Sequence, residues 1–335
     1  MMSKFLVKNL IIILPTILGI LGISFILSRL IPSDPAAVLA GDLASPETVA
    51  ALRVEMGLDK PALEQFIGYC INILQGDFGI SLFSGNPVGQ DIWTYFMATF
   101  ELANAALLVA LIVGIFSGVV AAQQDGKFFD SLSRILSILF ASMPVFWFGL
   151  ILVYLFYVRL GWFPNGGRID LSITPPPEVT RSLILDSILD SNFPALRSTL
   201  HHLFLPAITL GLIASAPIAR VTRAGMKEVL REEYIRIVRS RGYSTKRIFF
   251  VHALRNAVIP PLTLAGLVYG ALLGGAVLTE TIFSWPGLGR YAVQSMFRVD
   301  LNAMMGVIIA TSLAFIVVNI VVDAAYHIIN PLTRG

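Results

Sequence analysis

Apolar residues gather into six long runs, at about 9–31, 97–122, 134–160, 202–224, 257–282 and 303–328, separated by polar stretches bearing proline and glycine. Each run is on the order of 20 residues, the length an α-helix needs to cross a hydrocarbon core of roughly 30 Å. The pattern therefore predicts an all-α polytopic membrane protein with six transmembrane helices. Shorter periodic segments lie between the runs. In LEQFIGYCINIL, apolar residues at 63, 66, 67, 70, 71, 73 and 74 predict a helix lying on a surface or along the membrane interface. RSLILDSILD, at 181–190, predicts a second short apolar helix. After the fourth run the pattern changes. Apolar residues at 229, 230, 234, 237 and 238 recur at helical spacing in a charged background, which predicts an amphipathic helix ending near Gly242, a residue suited to a helix C-terminus. A further helix, about 245–257, leads into the fifth run. No linker divides the chain, so residues 1–335 read as one domain. Loops 32–96, 161–201 and 283–302 fall on one side of it and loop 225–256 on the other.

Composition supports this reading. The chain is 56% apolar and 13% charged, with a mean hydropathy of +0.78, more apolar surface than a soluble core of 335 residues can absorb. The net charge of +3 matters less than its distribution. Of 24 Lys and Arg, ten lie between 220 and 255: Arg220, Arg223, Lys227, Arg231, Arg236, Arg239, Arg241, Lys246, Arg247 and Arg255. Lys4, Lys8, Lys127, Arg134 and Arg334 share their side of the membrane, while the other nine cations are spread over about twice as many loop residues. By the positive-inside rule, the richer side, with both termini, is cytoplasmic. Lys4 and Lys8 before the first run resemble a secretory leader. The run is too long for a leader core and SRLIPSDP offers no small-x-small cleavage site, so it reads as a retained first span. Cys70, the single cysteine, excludes an internal disulfide.

The sequence carries no GxxxxGK[ST] phosphate loop, no HExxH and no GxSxG, so neither nucleotide hydrolysis nor a standard hydrolase site is written in it. His201, His202, His252 and His327 are dispersed, which argues against a metal cage. The charged elbow at 225–256 has four readings: docking into a groove on another subunit, lying on anionic headgroups, orienting the spans, or binding nucleic acid. The last is disfavoured because no aromatic stacking platform accompanies the charge. Within the spans, Glu101, Glu280 and Asp323 are candidates for a translocation path or gate. The competing reading pairs them with backbone or with cations such as Arg29 and Arg290. Pro144 and Pro217 should each kink a span, and Pro144 joins the candidates for the translocation path or gate. Gly266, Gly270 and Gly274 form a small-residue face for close helix packing. Trp285, beside a Pro-Gly turn, is a candidate gate residue or an interfacial anchor. Loops 32–96 and 161–201 read either as a cap facing a partner or as plain connections.

Several motifs together carry a resemblance: EEYIRIVRSRG at 232–242, HALRNAVIP at 252–260, LTETIFSWPGLGR at 278–290, IPSDP at 31–35, MGLDKPALEQF at 56–66, GDFGIS at 76–81, ATFELA at 98–103, SMPVFWFG at 142–149 and VNIVVDAAYHIINP at 318–331. The chain resembles, over nearly its whole length, the membrane (permease) subunit of ATP-binding-cassette importers of the dipeptide, oligopeptide and nickel family. The resemblance implies a type I importer transmembrane-domain fold that forms half of a pore for di- or oligopeptides across the bacterial inner membrane. It also implies a second homologous permease, two ATPase subunits that bind ATP and Mg, and an extracytoplasmic binding protein, with no cofactor or catalytic residue in this chain. Tyr234, Arg236, Ile237, Val238, Arg239, Arg241 and Gly242 would then form the coupling helix received by an ATPase cleft. The superfamily's Glu-Ala-Ala triplet is replaced by Arg236, Ile237 and Val238, so docking would rest on apolar contact and arginines. The loop at 283–290 would border the outer gate. Nickel chelates or another small solute are the alternative cargo. A stand-alone secondary transporter is a different class, in which paired repeats with broken helices would be expected.

Overall fold

The computed structural model describes residues 15–26, 35–40, 44–55 and 57–329, without the side chains of 35, 38, 39, 275, 323 and 325–329. The described chain is helical, and its one β feature is an isolated bridge between Ile80 and Pro87. The helices are α1 (Pro15–Ile26), α2 (Pro35–Ala40), α3 (Pro46–Glu55), α4 (Ala62–Leu74), α5 (Val88–Gln123), α6 (Phe128–Ser142), α7 (Val145–Arg159), α8 (Leu183–Leu189), α9 (Phe193–Val229) and α10 (Glu233–Ser240). They continue with α11 (Thr245–Ala257), α12 (Ile259–Gly275), α13 (Val277–Ile282), α14 (Leu288–Phe297) and α15 (Leu301–Ile329). Helices α5, α9 and α15 are long and apolar enough to cross a membrane singly. Counting each bent pair, α6 with α7 and α11 with α12, as one span gives up to five. The described part of the expected first span, α1, is shorter than a membrane crossing.

Two compact units emerge, residues 1–95 with 291–313 and residues 96–290 with 314–335, where the sequence reads as one domain. In the first, Asp300 opens α15 by accepting the Ala303 N–H at 3.1 Å, and its other oxygen accepts Ser81 Oγ at 2.6 Å and the Phe83 N–H at 3.1 Å. Asp91 accepts hydrogen bonds from the Ser84 hydroxyl, the Asn86 amide and the Tyr291 hydroxyl, and Tyr291 stacks on Tyr95. Burial pushes the Tyr291 phenol well above its ordinary pKa, so it remains a proton donor to Asp91. On α4, Leu63, Ile67, Ile71 and Leu74 are all exposed, as an apolar stripe meant for an interface would be.

The second unit is organised around α9, which packs against α6, α7, α8 and α12. Against α5 it lies close enough that a Cβ at Gly114 would sit 2.7 Å from Ile218 and one at Gly118 2.6 Å from Thr222. GIFSG at 114–118 is therefore a close-packing face, a motif the sequence reading passed over. The face expected on the fifth span is real in part. Cβ atoms at Gly266 and Gly270 would run into Val322 and Phe315 of α15, in this same chain, while Gly274 faces open space.

The two prolines behave differently. At Pro144 the chain leaves helical geometry (Met143 ψ 127°, Pro144 ψ 129°) and α6 and α7 meet at a bend of 106°. That is a break, larger than a kink. Pro217, expected to kink its span, lies with Pro206 inside the single helix α9, which continues through both. Packing on many sides holds α9 helical despite the lost backbone bonds, as in membrane helices generally.

Candidate functional site

The elbow between α9 and α12 is built from the inside outward. Ile235 is fully buried, in a cluster with Val119, Met226, Ile248, Phe249 and Ala257, and Tyr234 and Val238 pack against that cluster from either side. Tyr234 also ties α10 to α11: its hydroxyl accepts Asn256 Nδ2 at 2.8 Å and donates to the His252 carbonyl at 3.4 Å. Residues 234, 235 and 238 thus form the inner stripe, and Arg236, Ile237, Arg239 and Arg241 are left on the exposed side. Ile237 is 55% exposed, an apolar side chain flanked by arginines that make no ion pair among the described residues. The helix ends as the sequence predicts. The Gly242 N–H donates to the Arg239 carbonyl at 3.1 Å, and Gly242 has φ +76°, where a side chain is strained. Of the seven residues expected to face a partner, the structure turns Tyr234 and Val238 toward the chain's own core.

The ten cations do not form one patch. Arg223 grips Asp130 through Nε at 2.5 Å and Nη2 at 2.9 Å, and reaches Asp125 at 3.1 Å. Lys227 bonds Asp125 at 2.8 Å, and Arg220 donates to the Ser137 carbonyl at 3.4 Å. These three latch the short 124–127 turn and α6 onto α9. Arg247 lies over the Tyr243 ring at 4.7 Å. Sequence proximity had merged a structural latch with an exposed face.

At the other end of the second unit, two carboxylates expected near a path are buried. Glu280 accepts the Thr99 hydroxyl at 2.7 Å and the Arg290 backbone N–H at 2.9 Å, and Thr99 in turn accepts the Leu288 N–H at 2.8 Å. The WPGLG turn folds tightly over that carboxylate: a Cβ at Gly287 would sit 2.2 Å from Glu280 Oε1. Arg290 was expected to offer its charge. Its guanidinium donates instead to the Ser284 carbonyl at 2.6 Å. Glu101 accepts from Arg168, from Ser182 Oγ at 2.7 Å and from the Ile184 N–H at 2.9 Å, so it fastens loop 161–201 to α5. Its alternative partner, Arg29, lies outside the described residues. Trp285 is fully buried, with Nε1 donating to the Ala98 carbonyl at 2.8 Å and Arg168 over its ring at 5.7 Å. An interfacial anchor would keep part of its ring at the surface, so that reading of Trp285 fails. Pro144 is exposed at the α6–α7 break, and the side chain of Asp323 lies outside what the structure describes. Sequence reading missed Thr99, Arg168 and Ser182, whose roles depend on contacts 67 to 189 residues away in sequence.

Residues 110–335 match the family model described as "Binding-protein-dependent transport system inner membrane component". Residues 2–100 match its N-terminal companion, "Binding-prot-dependent transport system membrane comp, N-term". The chain is similar to the di/tripeptide transport system permease protein DppB of Pseudomonas aeruginosa (strain UCBPP-PA14), 44% identical over 334 residues and 99% of each chain. It is 44% identical over 318 residues to the probable D,D-dipeptide transport system permease protein DdpB of Escherichia coli (strain K12), covering 95% of this chain and 94% of that one. A glutathione transport system permease protein, GsiC, of Escherichia coli (strain K12) is 35% identical over 333 residues and 99% of each chain. The chain belongs to the family of inner-membrane components of binding-protein-dependent transport systems.

Proposed function

We propose that this chain forms half of the translocation pore of a peptide importer and that α10 is its coupling helix. The reading places six spans in the membrane with both termini in the cytoplasm. A second homologous permease completes the pore, two ATPase subunits bind and hydrolyse ATP with Mg, and an extracytoplasmic protein delivers the cargo. Di- and oligopeptides are favoured because relatives at 44% identity are named for di/tripeptide and D,D-dipeptide transport.

One observation carries the mechanism: α10 is fixed to the spans on its inner face and unpartnered on its outer face. A push on Ile237 or the neighbouring arginines passes through Ile235 into Met226 of α9, Phe249 of α11 and Val119 of α5. It does not dissipate in a floppy loop. Closure of two ATPase subunits would draw two such elbows together and favour one orientation of the spans. The coupling must take the form of differential stabilisation of those orientations. The apolar knob among cations suits a cleft with a greasy floor and an acidic rim, which substitutes for the glutamate that the Arg236, Ile237, Val238 triplet lacks.

The division into two faces yields the test. In the assembled transporter, Ile237→Asp should leave complex assembly and peptide binding by the delivery protein intact, and should lower ATP-driven peptide uptake about tenfold or more, the effect of losing roughly 1.4 kcal/mol of docking. Val238→Asp, on the inner stripe, should instead lower the yield of folded protein. Normal uptake by the Ile237→Asp transporter would remove the coupling role.

A further inference from the structure

Arg168 belongs to loop 161–201 and Glu101 to α5, and their side chains pair directly while only 13% and 4% exposed. The contacts around this pair are polar as well. Ser182 Oγ and the Ile184 N–H both donate to the other Glu101 oxygen. Just before Arg168, the Gly167 N–H donates to the Phe283 carbonyl at 3.1 Å, and Gly166 has φ +142° in a place where a Cβ would run into that same carbonyl. The Arg168 guanidinium lies over the ring of Trp285, whose Nε1 donates to the Ala98 carbonyl, about one turn before Glu101 on α5. Arg168 thus touches α5 and the turn at 283–290 at once. The rest of the loop is folded to meet the same carboxylate: buried Asp186 accepts the Thr180 N–H and hydroxyl, each at 2.8 Å, and the Arg181 N–H at 3.0 Å, which fixes the chain entering Ser182.

A buried ion pair is a poor source of stability, because desolvating two charges cancels much of their attraction and an apolar pair of similar volume would hold the loop at least as well. This pair is also incompletely satisfied, since Arg168 Nε is buried without a hydrogen-bond partner among the described residues. What such a contact does well is part and re-form. Apolar surfaces drawn apart into water lose their whole burial energy, whereas the charges and N–H groups of this contact regain hydration as water enters. That property serves a junction that opens in every cycle and is wasted on one that stays shut. On the importer reading above, on which this step rests, the turn at 283–290 borders the outer gate. We infer that loop 161–201 is a strap across that gate and that Arg168 is its positioning residue. The pair with Glu101 holds the turn against α5 in the closed form, and opening exchanges its contacts for water.

The test uses the complete transporter in proteoliposomes, with Cys70→Ser as background and Ser182→Cys, which keeps the shape of the side chain, as probe. The thiol should be protected from a membrane-impermeant maleimide at rest. It should react about tenfold faster, the scale of one charge-assisted hydrogen bond, when a non-hydrolysable ATP analogue holds the ATPase subunits closed. Arg168→Gln should bring the fast rate to the resting transporter and raise cargo-independent ATP hydrolysis severalfold. Arg168→Lys, which keeps the charge without the planar fork, should fall between. Adding Glu101→Gln to Arg168→Gln should bring no further increase, because both break one contact, whereas two separate injuries to the fold would add. If the thiol stays protected in the ATP-held state with Arg168 and Glu101 in place, the strap does not part and its role is excluded, whatever becomes of the Arg168 variants. If Arg168→Gln lowers the melting temperature but leaves resting labelling and basal hydrolysis unchanged, Arg168 only supports the fold and the strap is excluded again. ATP-driven dipeptide uptake by the Cys70→Ser transporter, measured in parallel, separates the two readings: uptake without parting removes the strap alone, and no uptake removes the importer reading and the strap with it.

Discussion

Glu280 shows how much one side chain can organise. Its carboxylate is fully buried and receives a hydroxyl and a backbone N–H, so both oxygens act as acceptors at the centre of the WPGLG turn. Replacing it with glutamine keeps the shape but turns one acceptor into a donor that faces another donor, and a buried donor left unsatisfied costs about 1–3 kcal/mol. Glu280→Gln should therefore lower the melting temperature of the purified transporter, read by tryptophan fluorescence, because the turn that buries Trp285 loosens with it. An unchanged melting curve would mean that the carboxylate is there for transport and not for the turn. The same reasoning explains Gly287, where any side chain would collide with Glu280.

Among elements, the junction of α6 and α9 depends on a guanidinium holding two aspartates that differ in burial. The Asp130 side chain is 1% exposed and that of Asp125 50%. Asp130→Ala would strand Arg223 half-buried beside an empty site, whereas Asp125→Ala would remove an ion pair that water already screens. We expect Asp130→Ala to make the turn at 124–127 sensitive to trypsin at Lys127 in inside-out vesicles, with a stability loss of about 1–3 kcal/mol, and Asp125→Ala to leave digestion nearly unchanged. Equal digestion of the two variants would show that the latch does not depend on burial.

For the molecule as a whole, the decisive property is that Arg236, Arg239 and Arg241 of the elbow are exposed and make no ion pair among the described residues, while Glu228, Glu232 and Glu233 offset only part of its positive charge. If the proposed ATPase subunits dock on this face, reversing two of these arginines, Arg236→Glu with Arg239→Glu, should weaken that association and make the remaining affinity rise with salt, the opposite of what is expected of the unsubstituted chain, where screening would weaken attraction. Co-purification at low and high ionic strength reads this directly. The same salt dependence before and after reversal would show that the partner's rim is not acidic.

Membrane residence, the run of helices and the amphipathic elbow with its glycine stop follow from the sequence alone, because each depends on residues within a turn or two of one another. Periodicity reports a helix and an apolar length of about 20 residues reports a span, whatever the rest of the chain does. Those local rules could not say which side of an amphipathic helix faces home. Val238 and Ile237 are adjacent and equally apolar, yet one packs against the chain's own core and the other is exposed. Nor could they pair Glu101 with Arg168 or fold WPGLG over Glu280, since these partners are far apart in sequence and meet only once the helices have packed. Pro144 and Pro217 show the same limit, because one proline stands at a helix break and the other lies inside a continuous helix, a difference that local sequence does not encode. Tertiary structure decided which polar groups are consumed internally and which remain available, since burial and hydrogen-bond satisfaction are properties of the packed chain and not of its letters.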